Sequence, residues 1–299
     1  MSGAVRYRAF GLTIESAIEL PEVPKATPDL GTDVRVVIGE PPASLSAPLR
    51  SGVLFEAQPG EYLLEVEGVA RYYVRDGREV IVAPAAGADA ASVRLFLLGS
   101  SLTAVLHQRG ALVLHAGSCE WRGRTVAFAG ASGNGKSTLL ACLVARGGSS
   151  LADDATVILP DADGALWVQP GFPQVRLWKD AVRRLGLEAD EQRRVRTGVE
   201  KFAMPLAGAD APRRLDAIVI LGMHNGDDIR VSRVEGADAF TALRAQTRNL
   251  RVLEGLGQQH AHFAMLSRVA AAVPVWRVVR PRGRETVNDV ADRVIECLD

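Results

Sequence analysis

The run Gly130-Ala131-Ser132-Gly133-Asn134-Gly135-Lys136-Ser137-Thr138 fits the pattern G-x-x-x-x-G-K-[ST]. An apolar, strand-like stretch precedes it and a helix-like one follows, which is the context in which this pattern holds phosphate. The residue types have physical reasons. Glycines let successive backbone N–H groups turn inward around phosphate oxygens, and a helix N-terminus adds a favourable dipole. Lys136 offers a compact positive charge to the β- and γ-phosphates, and the Ser137 hydroxyl offers a magnesium ligand. The expected ligands are therefore ATP and Mg2+. A glycine-rich turn without nucleotide, or a decayed site, is the bland alternative. The motif alone does not separate a kinase from a transport ATPase or a GTPase.

A carboxylate pair, Asp153 and Asp154, follows within Leu151-Ala152-Asp153-Asp154. This segment opens the strand after the loop helix, and with the usual winding that strand lies beside 124–129. Neighbouring residues on a strand face opposite sides, so the two acids can do different work. One can take the proton of an attacking hydroxyl while the other holds magnesium or orients the loop. Two acids in a solvated turn is the competing reading. The apolar strand 215–221 ends in Gly222 rather than an acid, and neither LSGGQ nor NKxD occurs, so the second half of a transport ATPase or a GTPase is missing. His115 ends the preceding strand fifteen residues before Gly130; it reads either as a satisfied core histidine or as a side chain reaching the same site.

These residues need elements to hold them. At 299 residues two domains are expected. Residues 5–86 read as β-rich, with alternating segments at 33–39, 61–67, 70–75 and 78–83 and a hairpin signal at Asp76-Gly77. Helical periodicity covers 91–108, and the boundary falls near 108–110. The expected organisation is a β-rich N-terminal domain over 1–109 and an α/β domain over 110–299. In the latter, strands are predicted at 111–116, 124–129, 150–159, 215–222, 228–234 and 274–280. Helices are predicted at 136–146, 178–186, 237–248, 258–272 and 286–298.

Composition narrows the partners. The 35 basic and 35 acidic residues cancel, which predicts neither a nucleic-acid nor a membrane-surface binder. Cys119, Cys142 and Cys297 are scattered and form no C-x-x-C pair, as in a reducing compartment without disulfides or a zinc site. The opening MSGAVRYRAFGLTIES has no apolar core with a cleavage site, and the most apolar stretch, 95–106, is short for a membrane span. The expectation is a cytoplasmic protein. Only Lys25, Lys136, Lys179 and Lys201 are lysines in an arginine-rich background, so Lys179 and Lys201 read either as sites needing a compact ammonium or as plain surface residues.

The segments VLHAG, GASGNGKST and ARGGSSLADDATVIL, in that order and spacing, resemble the catalytic domain of the HPr kinase/phosphorylase family. Further stretches, PGFPQVRLWKDAVRRLG, EKFAMPLA, VPVWRVVRPRG, YRAFGLTIESAIELPEVP and LLGSSLTAVLHQRG, resemble its HPr-kinase-related branch, which includes serine kinases encoded with lasso-peptide biosynthesis enzymes. The resemblance implies an α/β P-loop kinase domain akin to the nucleotide domain of phosphoenolpyruvate carboxykinase. It also implies phosphoryl transfer to a seryl hydroxyl of a peptide or protein, in its narrowest form the C-terminal serine of a lasso-peptide precursor. By that resemblance Asp153 is the general base, His115 positions Asp153 or the phosphate, Lys136 serves catalysis, and Ser137 and Asp154 serve the metal. The family's downstream acidic magnesium ligand falls near 176–180, where Lys179 takes the spacing and Asp180 is the available substitute. Lys201 is the candidate cation capping the phosphates. The region 5–86 does not resemble the regulatory domain of the HPr enzymes.

Rival readings are a kinase for a small hydroxylated metabolite and a non-catalytic nucleotide switch; reverse phosphorolysis and homo-oligomerisation stay open. His260 and His262 lie two apart in a predicted helix and so do not share a face, which disfavours a metal site there. The arginines of 244–251 read as a solvated helix end or an anion site, and Trp167, Trp178 and Trp276 as core or interface fillers.

Overall fold

The computed structural model describes residues 5–27, 30–184, 194–196 and 199–298. It is a mixed α/β structure with several sheets, divided into two units. The first comprises 1–113 and 248–264, the second 114–247 and 265–299. The segment 248–264 belongs with the first unit.

The first unit is built on strands β1 (Val5–Ala9), β2 (Leu12–Ser16), β3 (Val34–Ile38), β4 (Arg50–Ser51), β5 (Phe55–Gln58), β6 (Glu61–Val66), β7 (Ala70–Arg75) and β8 (Glu79–Pro84). They form one eight-stranded sheet in the order β1-β2-β3-β8-β7-β6-β5-β4. The β7–β8 connection uses Asp76 and Gly77, both at positive φ (53° and 62°), the backbone state for which that residue pair is suited. Helices α1 (Ala90–Phe96) and α2 (Leu102–Gln108) run on through a π-helical segment, Leu97–Ser101. Asp89 caps α1 by accepting from Ala91 N and Ser92 N. The continuous helical run Ala90–Gln108 has 19 residues and a mean hydropathy of 1.4, so it is longer than the apolar stretch read from sequence; 61% of its most apolar window is buried in the protein. Leu97, Leu98 and Leu102 share a small apolar void with Ile14, Val34 and Val80 of the sheet. Strand β9 (Leu112–Leu114) carries the chain onward.

The second unit contains β10 (Ala116–Trp121), β11 (Arg124–Gly130), α3 (Lys136–Ala145), β12 (Ser149–Ala152), β13 (Thr156–Pro160), β14 (Leu166–Gln169), β15 (Gln174–Trp178) and α4 (Lys179–Arg184). It continues with β16 (Arg194–Arg196), β17 (Val199–Pro205), β18 (Arg213–Arg214), β19 (Ala217–His224), β20 (Arg230–Val234) and α5 (Gly236–Ala245). The chain then passes through α6 (Leu250–Gly255) and α7 (Gln259–Ala272) to β21 (Val275–Pro281) and α8 (Val287–Glu296). The main sheet runs β12-β10-β11-β19-β21-β20, with β11, β19 and β21 mutually parallel.

Helix α3 is buried on nearly every side, as its all-round apolar sequence requires. Leu139, Leu140 and Leu143 pack with Val175 and Leu177 of β15, Val219 of β19, Val278 of β21 and Val290 and Val294 of α8. Polar ties fix the same neighbours: Arg146 donates to Asp292 Oδ1 at 2.6 Å and to Asn288 Oδ1 at 2.9 Å.

Three sequence expectations are overturned. The strand leading to the aspartate pair, β12, does not lie beside β11; the antiparallel strand β10 stands between them, and β19 takes β11's other side. The short Trp121–Gly123 turn makes β10 and β11 a hairpin, so that neighbouring place is already filled. Asp153 and Asp154 are not on a strand either. They form the bend where the chain leaves β12 in the main sheet for β13 in another. The expected strand 111–116 is likewise broken at His115, between β9 and β10.

Candidate active site

The loop 130–138 occupies the C-terminal edge of the parallel strands, where open α/β sheets take their ligands. Gly130 is in register with Leu221, and a Cβ there would come within 2.6 Å of the Leu221 carbonyl oxygen. Gly133 and Gly135 hold φ of 87° and 92°, and Gly135 is the N-cap of α3. Asn134 Nδ2 donates to Leu221 O at 2.7 Å, pinning the loop to the neighbouring strand. Lys136 is buried; its Nζ donates to Gly130 O at 2.6 Å and to Ala131 O at 3.3 Å. The loop thus wraps the amine with its carbonyls, while the first-turn N–H groups of α3, which have no intrahelical acceptors, form an anion-receptive end.

The two aspartates part company at the bend. Ser137 Oγ donates to Asp153 Oδ1 at 2.8 Å, and the backbone N–H of Arg176 donates to Asp153 Oδ2 at 2.9 Å. Both oxygens of Asp153 are therefore engaged between the loop helix and β15. Asp154 takes φ 71°, a left-handed state that Asp tolerates better than most residues. Its Oδ1 is 3.2 Å from His115 Nδ1, and its carbonyl oxygen is equally near that nitrogen. Arg176 Nη1 stands 3.9 Å from Asp154 Oδ2. His115 is itself fixed by its N–H, which donates to Gln246 O at 2.7 Å.

Residues Ser132–Thr138, His115, Asp154 and Asp180 line one cleft of about 240 Å3. Asp153 lies one hydrogen bond behind its wall, through Ser137. Lys201 pairs with Trp178 between β17 and β15, but its side chain is outside the described residues. Lys179 donates to Glu200 Oε1 at 3.0 Å on the surface. Of the tryptophans read as core or interface fillers, Trp178 is 53% exposed and lines the cleft. Trp276 packs against the core and also stacks with Arg233, and Trp167 donates to Asp161.

Sequence reasoning missed three arginines. Arg176, Arg280 and Arg284 line the cleft with Lys136. The signal for Arg280 was its place at the end of a strand parallel to the loop strand, since those strands end at one edge. Such a set of cations around a glycine-rich loop suits a polyanion.

Among the described residues no three of His, Cys, Asp or Glu cluster to cage a metal. Ser137 and Asp153 supply two adjoining oxygens, which fits magnesium, an ion that keeps waters and takes phosphate oxygens for its other positions. Cysteine chemistry has no foothold. The three thiols are free, and burial pushes Cys119 up to about 12 and Cys297 up to about 11.

No protein-family model matches the chain, and no curated protein is similar to it at a significant level. Among solved structures, the HPr(Ser) kinase/phosphatase from Coxiella burnetii is similar over 62% of this chain and 88% of its own, with 12% identity and a TM-score of 0.32. A likeness at that level carries no weight on the reaction, and what the site can do rests on its own geometry.

Proposed function

We propose that this chain is a kinase that binds Mg-ATP on Gly130–Thr138 and transfers the γ-phosphoryl group to a hydroxyl group presented at Asp154. The observation that carries the reading is the division of labour in the Asp pair: Asp153 is joined to the loop through Ser137, while Asp154 and His115 line the cleft together. The hydrogen bond from Ser137 supports a place for Asp153 on the metal side, where a carboxylate stands beside the loop serine in phosphate-loop enzymes. Asp154 is then the proton acceptor, with His115 positioning it. This exchanges the roles that the family resemblance gave the two acids.

In the transfer, the acceptor oxygen forms the new bond to phosphorus as the bond from the γ-phosphorus to the β,γ-bridging oxygen breaks. The acceptor proton passes to the Asp154 carboxylate, and ADP leaves. Lys136 and the N–H groups of the loop hold the phosphates in line. Magnesium, when bound through Ser137 and Asp153, neutralises phosphate charge. A seryl acceptor on a peptide or protein, and the C-terminal serine of a lasso-peptide precursor as its narrowest form, rest on the sequence resemblance.

The experiment is transfer of label from γ-labelled ATP to a serine-ending precursor peptide and to pooled peptides, using wild type, Lys136→Ala and Asp154→Asn. Label that moves only with wild type supports the reading. ATP binding without transfer to any peptide removes the peptide kinase and leaves the metabolite kinase or the nucleotide switch.

A further inference from the structure

We infer that Arg280 is the residue that meets the negative charge developing on the transferred phosphoryl group, so that transfer draws its arginine from within this chain. The inference rests on the kinase reading and deepens it.

The placement follows from register. Gly130, where the loop begins, is paired with Leu221, and Leu221 with Val278 on the next parallel strand. Val278 is buried in the core beneath α3 and α8. Side chains two apart on a strand share a face, so Arg280 stands one rung beyond Val278 on that same face, toward the edge where the loop bends. The spacing agrees with this: a Cβ built on Gly135, the residue that caps α3, would lie 3.8 Å from Arg280 Nη2. Arg280 is half-buried, lines the cleft, and is steadied by its Nη1, which donates to Pro281 O at 3.4 Å.

Lys136 cannot take this role alone. Its ammonium is buried against the carbonyls of Gly130 and Ala131, and it is a point charge. A guanidinium presents a planar fork that can follow two equatorial phosphoryl oxygens as charge spreads over them. The cleft has two other arginines: the guanidinium of Arg176 faces Asp154, and Arg284 is exposed and pairs with Asp227 at 3.3 Å. A cation over the loop that acts on the transition state raises kcat without tightening ground-state binding.

The test compares wild type with Arg280→Ala, Arg280→Lys and the control Arg277→Ala, which is exposed on the same strand but on the opposite face. Three readouts are needed: affinity for a non-hydrolysable ATP analogue, affinity for ADP with aluminium fluoride, and turnover to acceptor or to water. The expected result is turnover lowered about 10³-fold in Arg280→Ala, with analogue affinity held within about threefold. The aluminium fluoride complex should weaken in step with turnover, Arg280→Lys should fail to restore it, and free guanidinium ion should restore part of it to Arg280→Ala. Arg277→Ala should match wild type. Turnover within about tenfold of wild type, or analogue affinity falling as far as turnover, overturns the assignment to Arg280 alone. A wild type that binds no nucleotide overturns the kinase reading and this one with it. Should Arg280→Ala fail to fold by thermal melting, Arg280→Lys, which keeps stem and charge, carries the comparison.

Discussion

Ser137 Oγ and Asp153 Oδ1 lie 2.8 Å apart, and the second oxygen of that carboxylate accepts from the backbone of Arg176. One side chain thereby fastens the first turn of α3 to β15. Replacing Asp153 by Asn keeps the shape, but removes the charge that the proposed magnesium site beside Ser137 would use. The expected outcome is a rise of roughly 10-fold or more in the magnesium concentration needed for half-maximal turnover, with partial activity at saturating metal. A magnesium titration of Asp153→Asn against wild type checks it.

In the proposed mechanism Asp154 takes the acceptor proton, so Asp154→Asn should lower turnover by ~10²–10⁴ while ATP affinity stays near that of wild type. His115→Gln should produce a smaller loss of the same kind, because the proposed mechanism has His115 act through Asp154 rather than on the acceptor. Equal losses in Asp153→Asn and Asp154→Asn, at saturating magnesium, would contradict the exchange of roles.

Gly130→Ala puts a methyl group 2.6 Å from the Leu221 carbonyl at a backbone φ of 154°. Neither the strand nor the loop can yield cheaply, since Asn134 also bonds that carbonyl. Loss of ATP binding by at least about 10-fold is expected, together with a stability loss of about 1–3 kcal/mol. Calorimetric nucleotide titration and chemical denaturation read the two effects.

The glycine-rich loop, the strand before it and the buried helix after it were legible because each has a local cause: turn-forming glycines, an apolar strand and a helix stopped by Gly147 and Gly148. Strands β19, β20 and β21 and helices α5, α7 and α8 fell where periodicity put them, within a few residues. What local pattern could not reveal was which strands become neighbours. The tight hairpin at Trp121–Gly123 filled the place beside β11, and this moved the aspartate pair from a strand to a bend between two sheets. Arg280 was invisible for the same reason, since only the parallel pairing of β11, β19 and β21 brings residue 280 back to residue 135. Short strands such as β14 and β15 carried too few residues for alternation to declare them.

Stability should depend on pH through His107. It is almost fully buried, and its Nε2–H donates to Arg248 O at 2.8 Å. Burial is the main cause that pulls its pKa down to about 4, with the charges of His262 and Arg248 acting in the same direction. The unfolded chain holds this histidine near 6.5. Below that value the unfolded state takes up a proton that the folded state refuses, so stability falls as pH drops from about 6.5 to about 4 and levels off beneath. The loss amounts to about 3 kcal/mol. Urea midpoints measured across that range should fall more steeply for wild type than for His107→Gln.

The return of 248–264 to the first unit has a consequence for how the protein is made. Gly255 sits where any side chain would strike Ala57, a Cβ there lying 2.6 Å from the Ala57 Cβ, and Glu254 pairs with Arg50 at 3.4 Å. While the ribosome is still extending the chain past residue 113, β4 and β5 have no such cover. At about 5–20 residues per second, on the order of ten seconds passes before α6 emerges to supply it. The glycine-rich loop is synthesised within that interval, whereas Arg280 and the start of α8, which line the same cleft, follow α6, and a fragment ending at 113 lacks the segment that covers β4 and β5.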